Sequence, residues 1–445
     1  MLFNLDEIVN CLNCEVLYKN ESYNNDTLFE ISTDTRKLKP LDVYLPLRGE
    51  NFDGHNFIDK ALEQGALGYF TQDKFKINKK ASFVLYVKNS LIAYLKLAQY
   101  IRNKINPFVI AITGSCGKTT TKEMLSSVFQ TQYKTHKTLL NHNNEIGLCE
   151  TMFTMANDTQ VLIVEMGMRN LGEIELLSNY SNPDIGIISS VGSAHLERLG
   201  TLENIARAKC EIVSNLKKDG LFIGVDCDRI KNNINYQGKK IFTSLNNAAN
   251  IETNVDITKF DYKKETYRIT QPGEYNISNA LLVIEAALYK GVSIENIKKG
   301  LLDYKPIEKR WEKTTVKGLT FINDSYNANP ESMSAVIKTF LSVYKKPVLL
   351  VLGDMGELGK DKILYHKQIG EFLSSYKGIK LLTVGVLARH IARNATLESI
   401  EFENNESCAQ YIADNVPKGT TILLKASRSM KFEQIIEMVE NYDND

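Results

Sequence analysis

The sequence lacks long apolar runs and any excess of charge of one sign. No apolar stretch approaches the roughly 18 residues that suggest a membrane-spanning helix, so we expect no membrane insertion. The 445 residues carry 54 Lys and Arg against 53 Asp and Glu, a formal net charge of +1. No global field therefore favours nucleic acid or an anionic membrane. The start, MLFNLDEIVN, has early acidic residues and no basic segment before an apolar core, and so indicates a folded start, not a signal peptide.

Cysteine is scarce as well. The seven cysteines are odd in number and widely scattered, which is not the pattern of a small disulfide framework. Without an export signal they favour reduced thiols and a cytoplasmic protein. The chain also has no internal repeat and no low-complexity linker. Its length alone suggests about two to four domains.

The distribution of apolar runs predicts three α/β blocks, at residues 1–105, 106–303 and 304–445. The first mixes short strands and helices. The second alternates fully apolar strands (PFVIAIT, VLIVEMG, DIGIISSVG) with amphipathic helices, as in a doubly wound parallel sheet covered on both faces. The third repeats that alternation with LTFINDS, KPVLLVLGDM, IKLLTVG and TTILLKAS, typical of a Rossmann-like domain. We expect the asparagine-rich stretch 232–246 to be a surface loop, and DYKPIEKRWE (303–312) to be a hinge.

One stretch predicts a phosphate site. In AITGSCGKTTTKEML, which begins at Ala111, a strand leads into a glycine-rich turn and then a helix. Backbone N–H groups at such a turn point at an anion, and Gly114 and Gly117 allow close approach. Lys118 would reach the β- and γ-phosphates, and the Thr119 hydroxyl would meet Mg²⁺. The general pattern has a further glycine where this chain has an isoleucine, so TGSCGKTT is a shorter form of nucleotide loop.

Other strand ends add polar groups. VLIVEMG ends in Glu165, His195 follows the strand in DIGIISSVGSAHLE, and LTFINDS ends in Asp324. Ligands of open parallel sheets bind at the carboxyl ends of strands, so Glu165 and His195 are expected on the edge of the phosphate loop. A carboxylate and an imidazole beside a nucleotide suggest Mg²⁺ held largely through phosphate and water. Lys209 lies in the following helix, where a lysine is ordinarily a solvated charge.

Together, the motifs of this chain resemble those of the Mur ligases of bacterial cell-wall synthesis. The resemblance covers essentially the whole chain in order, and it is carried by the segments GSCGKTT, NHNNEIG, VEMGMRNLGEIE, VGSAHLERLGTLENIARAKCEI, EYNISNALLVIEAA, KRWE, NDSYNANPESM, LGDMGELG and LKASRSMKFE. It implies an ATP-dependent amide-forming ligase acting through an acyl phosphate. RGENFDGHNFI in the first block is similar to a muramoyl-substrate domain. NDSYNANPESM and LGDMGELG are similar to the family member that joins D-alanyl-D-alanine to UDP-N-acetylmuramoyl-tripeptide.

The resemblance implies roles around ATP and the metal. Lys118 and Thr119 would take the phosphates and Mg²⁺, and Arg310 would approach the γ-phosphate. The metals, expected to be two Mg²⁺ ions, would lie at Thr119, Glu165, His195 and Lys209. Lys209 occupies the position of the family's carbamylated lysine, in which CO₂ turns the amine into a carboxylate-like ligand. The nucleotide contacts would be Gly114, Ser115, Cys116, Gly117, Lys118, Thr119, Thr120, Asn276, Asn279, Arg310, Asp324, Tyr326 and Asn329.

The resemblance also implies substrate contacts. Asn143 or Asn144 would lie near the reacting carboxylate, with Asn144 preferred. The muramoyl or uridine contacts would be Thr35, Arg36, Asn51 and Asp53, and the dipeptide-side loop would contain Ser427 and Arg428. Two departures from the family pattern occur: Lys-Ala-Ser replaces the common Lys-Gly-Ser at 425–427, in the dipeptide-side loop, and Gly356 stands where a larger residue is common. Neither touches the ATP chemistry.

Three alternatives remain. A sister ligase that adds a single amino acid usually carries a selecting motif such as DNPR, which this chain lacks, and a folate-chain ligase would lack the first block. A switch-like NTPase needs no third domain with Arg310 and Asp324. A non-catalytic nucleotide-binding module would not need intact catalytic residues, here Lys118, Thr119, Glu165 and His195. The sequence leaves open whether the third peptide residue is lysine or diaminopimelate. The family resemblance implies a monomer.

Overall fold

The structure is a computed structural model that describes residues 1–75, 77–306 and 309–442. These form two compact units. The first comprises 1–109, 136–164 and 179–182, and the second 110–135, 165–178 and 183–445. No helix in the described ranges is long and apolar enough to cross a membrane. The predicted hinge 303–312 includes Ile307 and Glu308, which lie outside the described residues.

The helices alternate with strands over most of the chain. Their bounds are α1 (Leu5–Leu12), α2 (Ile58–Glu63), α3 (Ser90–Ile105), α4 (Lys118–Gln130), α5 (Glu145–Phe153), α6 (Glu173–Ser181), α7 (Leu196–Leu199), α8 (Leu202–Cys210), α9 (Asp228–Asn233), α10 (Glu274–Lys290), α11 (Ile294–Asp303), α12 (Pro330–Val343), α13 (Lys362–Leu373), α14 (Arg389–Ala392), α15 (Asn405–Asn415) and α16 (Glu433–Asn441).

The strands are mostly short and apolar. Their bounds are β1 (Glu15–Lys19), β2 (Ile31–Ser32), β3 (Val43–Tyr44), β4 (Arg48–Gly49), β5 (Phe52–Asp53), β6 (Gly68–Thr71), β7 (Phe83–Tyr86), β8 (Phe108–Thr113), β9 (Thr135–Lys137), β10 (Val161–Glu165), β11 (Ile185–Ile188), β12 (Leu221–Val225), β13 (Lys239–Thr243), β14 (Ala249–Thr253), β15 (Thr258–Tyr262), β16 (Glu265–Ile269), β17 (Glu312–Val316), β18 (Leu319–Asn323), β19 (Val348–Gly353), β20 (Lys380–Val384), β21 (Glu398–Phe402) and β22 (Thr421–Lys425).

The first unit contains a five-stranded sheet of order β1-β7-β6-β3-β2. Strand β1 is antiparallel to β7, and the other pairs are parallel. Helices α3 and α5 pack together in this unit. The rings of Tyr94 and Phe153 lie 5.0 Å apart, and Phe153 also meets Phe3 edge-on at 6.0 Å. Aromatic packing therefore ties 136–164 to the N-terminal segment.

The second unit contains the predicted parallel strands. Strands β13, β12, β11 and β8 are neighbours in that order and all parallel. The side chains of β8 and β11 are nearly all buried, as expected for a sheet covered on both faces. The carboxyl ends of β8 and β11 carry the phosphate loop and the segment leading to His195. The expected loop at 232–246 is wrong in part, because Lys239–Thr243 forms β13 at the sheet edge.

A second sheet, of order β17-β18-β22-β19-β20-β21, follows in the same unit. Strands β18 to β21 pair in parallel, whereas the edge strand β17 is antiparallel to β18. A separate antiparallel sheet, β14-β15-β16, precedes α10. The four strands predicted in the last block are confirmed, while β17, β21 and the small antiparallel sheet were not predicted.

Candidate functional site

The phosphate loop joins β8, which ends at Thr113, to α4, which begins at Lys118. Gly117 precedes the helix with φ +82°, a left-handed conformation that favours glycine. The Lys118 ammonium donates to the Gly114 carbonyl at 2.6 Å. Burial lowers the pKa of Lys118, and the nearby Glu165 carboxylate partly opposes that effect. The N-terminus of α4 and the Lys118 side chain therefore lie together at the phosphate loop.

A serine loop, defined here as residues 189–193 after β11, holds the phosphate loop in shape. The Cys116 N–H donates to Ser190 Oγ at 2.7 Å, and Ser189 Oγ donates to the Cys116 carbonyl at 2.5 Å. Ser115 Oγ donates to the Gly192 carbonyl at 3.0 Å. The sequence analysis did not single out these serines. Their position could have indicated this role, because they directly follow β11, the strand that pairs with β8.

The absence of a side chain at Gly117 leaves space for the side chain of Asn279, another predicted nucleotide contact. A Cβ at this position would lie 2.5 Å from Asn279 Oδ1, so Gly117→Ala forces the buried Asn279 side chain or the loop to move, in addition to the backbone strain. We expect at least about tenfold weaker nucleotide binding, since a cost of about 1.4 kcal/mol at the loop suffices for that factor. Isothermal titration with ADP measures it.

The matched control is Gly172→Ala. Gly172 has a similar φ of +87°, but a Cβ there meets nothing within 4 Å. We expect this variant to lose stability and keep ADP affinity. Equal losses of affinity in both variants would contradict the steric explanation, because only the backbone strain is common to them.

Thr119, Glu165 and Arg310 come together beside the loop. Thr119 Oγ1 donates to Glu165 Oε1 at 3.3 Å and accepts from Arg310 Nη2 at 3.1 Å. The Arg310 guanidinium stacks on the Tyr326 ring, 4.2 Å from its centroid. Arg310 belongs to the last block of the sequence, so within the second unit the two predicted parts of a nucleotide site meet.

Lys122 is a charged residue of this site that the sequence analysis missed. Its side chain is 0% exposed, and its ammonium lies 3.6 Å from Glu165 Oε2 and 3.3 Å from Glu123 Oε1. It lies one helical turn after Lys118, so the spacing of four residues placed both lysines on one face of α4. The contact therefore places a buried positive charge beside the Glu165 side chain.

Removing that ammonium should destabilise the protein. Breaking a buried ion pair by deleting one partner typically costs about 3–5 kcal/mol, because the remaining charge loses its compensation. We expect Lys122→Met to lower the free energy of unfolding by about that much in urea denaturation. Lys122→Met combined with Glu165→Gln should recover part of the loss. A single variant within roughly 1 kcal/mol of the original chain would contradict this account.

Lys209 is fully enclosed without a counter-charge. It lies in α8 and is 1% exposed, and its ammonium makes no hydrogen bond or ion pair with any described residue. Burial, reinforced by the charge of Lys118, lowers its pKa well below the usual lysine value. A buried, unpaired lysine is costly unless it is neutral or modified. The solvated-charge interpretation of this residue is therefore wrong.

His195 adopts a left-handed conformation, φ +67°, directly before α7. Its Nδ1 lies 2.8 Å from Glu357 Oε2, and this contact lowers the pKa of the Glu357 carboxyl. Glu357 comes from the LGDMGELG segment and was not predicted as a site residue. No three His, Cys, Asp or Glu side chains cluster as a metal site in the part of the chain that the structure describes.

Asp324 is held by groups of the chain itself. Its Oδ1 accepts from the Trp311 N–H at 2.9 Å, and its Oδ2 forms an ion pair with the buried Lys425 at 2.6 Å. Asn329 caps α12 through Ser332 N–H and also donates to Cys116 Sγ at 3.0 Å. Asn329 therefore reaches the phosphate loop, while Asp324 anchors the segment that carries Arg310.

The remaining predicted residues lie in different settings. Asn276 is buried and donates to the Pro272 carbonyl at 2.8 Å. Ser427 Oγ accepts from the Gly356 N–H at 2.7 Å, so Gly356 contacts the residue that follows Ala426. Arg428 is exposed and pairs with Glu433 at 2.8 Å.

The first unit contains a cavity of about 960 Å³. Thr35 and Arg36 line it, whereas Asn51 and Asp53 do not. Asp53 instead pairs with Arg48 at 2.7 Å and accepts from His55. Asn144 Oδ1 caps α5 by accepting from the Gly147 N–H at 3.0 Å.

Comparisons with known proteins agree with this picture. Three stretches match family models described as Mur ligase family, catalytic domain (28–108), Mur ligase middle domain (112–287) and Mur ligase, glutamate ligase domain (309–428). The chain is 38% identical over 433 residues to the UDP-N-acetylmuramoyl-tripeptide–D-alanyl-D-alanine ligase of Bacillus subtilis, covering 94% of each chain. It is 31% identical to the Escherichia coli protein of the same name, over 93% of this chain and 94% of that one.

Solved structures give the same result. A MurF structure from Acinetobacter baumannii superposes with a TM-score of 0.91, 27% identity and 99% coverage of each chain. MurF from Thermotoga maritima in complex with ADP superposes with a TM-score of 0.83, 26% identity, and coverage of 92% of this chain and 97% of that one. The expected three-domain α/β class is confirmed by this likeness, while the boundaries at 105 and 303 stay predictions. The chain belongs to the Mur ligase family.

Proposed function

We propose that this chain joins D-alanyl-D-alanine to UDP-N-acetylmuramoyl-tripeptide with cleavage of ATP to ADP and phosphate, in cytoplasmic synthesis of peptidoglycan precursors. The names of the Bacillus subtilis and Escherichia coli relatives, which match over nearly their whole length, support it. The structural observation that carries it is Arg310, from the last block, donating to Thr119 at the phosphate loop.

The reaction needs ATP because a carboxylate is a poor electrophile. A carboxylate oxygen of the tripeptide attacks the γ-phosphorus, and ADP leaves. The amine nitrogen of the dipeptide then attacks the acyl carbon, the bond from that carbon to the phosphate oxygen breaks, and the amine loses a proton. Phosphoryl transfer depends mainly on positioning and charge neutralisation. Lys118 and Arg310 supply positive charge for it.

The nucleotide would be held by both parts of the second unit. The loop from Gly114 through Ser115, Cys116 and Gly117 to Thr120 offers backbone N–H groups to phosphates. Asn276 and Asn279, both buried at the start of α10, are assigned to the adenine or ribose. Tyr326 and Asn329 lie beside Arg310 and Cys116 respectively. Asp324 is assigned to the ribose edge, where its Lys425 partner fixes its orientation.

The residues fit Mg²⁺ held mainly through phosphate. Thr119 Oγ1 and Glu165 Oε1 are oxygen ligands 3.3 Å apart, and the described residues build no complete cation cage of their own. Mg²⁺ commonly keeps several waters and binds through few protein groups plus substrate phosphates. Thr119, Glu165 and His195 would hold two ions. When bound, Mg²⁺ neutralises the charge that develops on the transferred phosphoryl group.

Lys209 fits a carbamylated lysine. Only a neutral amine attacks CO₂, and the burial that lowers the pKa of Lys209 favours that form. The nitrogen lone pair forms a C–N bond to CO₂, and an N–H proton passes to solvent, which leaves a carbamate anion. That anion would supply the counter-charge and the oxygen ligand that the buried side chain otherwise lacks.

The substrates are assigned by the same family pattern. The cavity in the first unit, with Thr35 and Arg36 in its wall, is assigned to the UDP-muramoyl part, together with Asn51 and Asp53. Asn144, or Asn143 beside it, is assigned to the reacting carboxylate. Ser427 and Arg428 are assigned to the dipeptide. We propose a monomer that binds neither nucleic acid nor membrane.

The test is phosphate release from ATP by the purified chain with UDP-muramoyl-tripeptide, with and without D-alanyl-D-alanine, and with the product identified by mass. We expect release that needs both substrates and a product heavier by one dipeptide, minus water. Release with a single amino acid as acceptor would make the chain a sister ligase. Release without any acceptor would indicate a switch-like ATPase.

A further inference from the structure

The segment between β19 and α13 reaches the helix that follows His195. The Glu357 carbonyl accepts from the Glu197 N–H at 3.2 Å. Gly359, with φ +62°, lies so close that a Cβ there would be 3.1 Å from Glu197 Cα. Glu357 itself has φ +61°, which is uncommon for a residue with a side chain. Such strain persists only where surrounding contacts hold it, and it concentrates at functional sites.

The side chain of Glu357 is aimed at one nitrogen of His195. Its Oε2 lies 2.8 Å from Nδ1. When a carboxylate accepts a hydrogen bond from the Nδ1–H group of an imidazole, Nε2 keeps its lone pair and the ring has a fixed orientation. Histidine ligands of metals nearly always have such a partner on their other nitrogen. Here the partner comes from the last block and the histidine from the central one.

The same segment also contacts the loop assigned to the dipeptide. The Gly356 N–H donates to Ser427 Oγ at 2.7 Å, and the Ser427 N–H donates to the Asp354 carbonyl at 3.0 Å. Glu357 is the next residue after Gly356. The path from the Ser427 hydroxyl to the His195 ring therefore runs through one hydrogen bond, one peptide unit and one ion pair.

We propose that Glu357 is a positioning residue that orients His195 for the metal ion, and that it does so from a segment whose other end supports the loop at Ser427. This inference rests on the proposed function, in which His195 meets Mg²⁺. According to this proposal, the metal site is complete only while residues 353–359 contact the segment that carries His195. The simpler alternative is a surface ion pair of little consequence, since the Glu357 side chain is 61% exposed.

Direct metal binding separates these two cases. Mn²⁺, monitored by electron paramagnetic resonance, is titrated into the full chain with a non-hydrolysable ATP analogue bound. We expect Glu357→Ala to raise the Mn²⁺ dissociation constant about 10- to 100-fold, the usual effect of removing such a partner. Glu357→Gln, which keeps the shape and loses the charge, should have a smaller effect. The matched control is Glu197→Ala, an exposed carboxylate on the same short helix with no described side-chain partner.

The double variant tests whether Glu357 acts through His195. In a His195→Ala background, Glu357→Ala should change Mn²⁺ affinity by less than about threefold, because nothing remains to orient. The proposal would be overturned if Glu357→Ala raised the Mn²⁺ dissociation constant by the same factor with His195→Ala present as without it. It would also be overturned if Glu357→Ala had no larger effect than Glu197→Ala. If the original chain forms the ligation product and Glu357→Ala leaves the Mn²⁺ affinity unchanged, only this inference fails. If it forms no product, the proposed function fails.

Discussion

Replacing Lys209 with alanine is expected to lower the ligation rate roughly 10²–10³-fold, the scale on which one preorganised electrostatic contact acts in catalysis. The enclosed amine has a lowered pKa and no counter-charge among the described residues, and both observations support the proposed carbamate. Steady-state kcat measures the loss. Nuclear magnetic resonance with ¹³C-labelled bicarbonate should show a carbamate signal in the original chain that Lys209→Ala lacks.

Two comparisons make this prediction specific. Arg207→Ala removes an exposed cation two residues away on the same helix, and it should leave kcat within about twofold, as surface substitutions usually do. Short carboxylic acids such as acetate should restore part of the activity of Lys209→Ala, because they return a carboxylate to the space left by the side chain. Loss of activity without a carbamate signal in the original chain would mean that the ammonium itself is required.

Replacing Arg310 with alanine is expected to slow phosphoryl transfer by about 10³-fold or more, the range known for arginines that stabilise a transferring phosphoryl group. Arg310 is poised for that role by its hydrogen bond to Thr119 and its stacking on Tyr326. Arg310→Lys keeps the positive charge but loses the planar guanidinium, so its rate of phosphoryl transfer should lie between those of the original chain and Arg310→Ala. Single-turnover formation of ADP measures the step.

The ATP affinity of Arg310→Ala shows whether Arg310 stabilises the transition state or binds ATP in the ground state. If it stabilises mainly the transition state, the dissociation constant of ATP should change by less than about tenfold while the rate falls far more. Arg268→Ala, an exposed arginine on β16, is the control for general loss of positive charge. An Arg310→Ala variant that loses only ATP affinity, with an unchanged rate at saturation, would assign Arg310 to ground-state binding.

Local pattern was enough to predict most of the parallel strands and the position of the phosphate loop. The apolar run before Gly114 and the helical pattern after Lys118 define the phosphate loop, and Glu165, at the end of a predicted strand, contacts Thr119 beside it. Lys122 carried a usable signal, its spacing from Lys118, but a lysine in a helix is ordinarily solvated. Lys209 needed the family resemblance, because nothing in its own helix indicates that it is enclosed.

Contacts between distant residues could not be predicted. Asp324 and Lys425 are 101 residues apart in the chain, and their pairing depends on β18 and β22 being neighbours. The left-handed conformation of Glu357 follows from tertiary contacts, not from a local preference for such a conformation. The antiparallel sheet β14-β15-β16 was missed because its first strand is exposed along its length, so no apolar run marks it.

The discontinuous course of the first unit has a consequence for how the chain folds during synthesis. That unit draws on residues as far along as 182, so it cannot be completed when the first hundred residues have left the ribosome. Until Phe153 emerges, the aromatic surface around Phe3 and Tyr94 has no cover. Such long-range closure is slow, and exposed apolar surface invites aggregation. Residues 1–105 made alone should therefore be poorly soluble, and chaperones should engage the nascent chain in this interval.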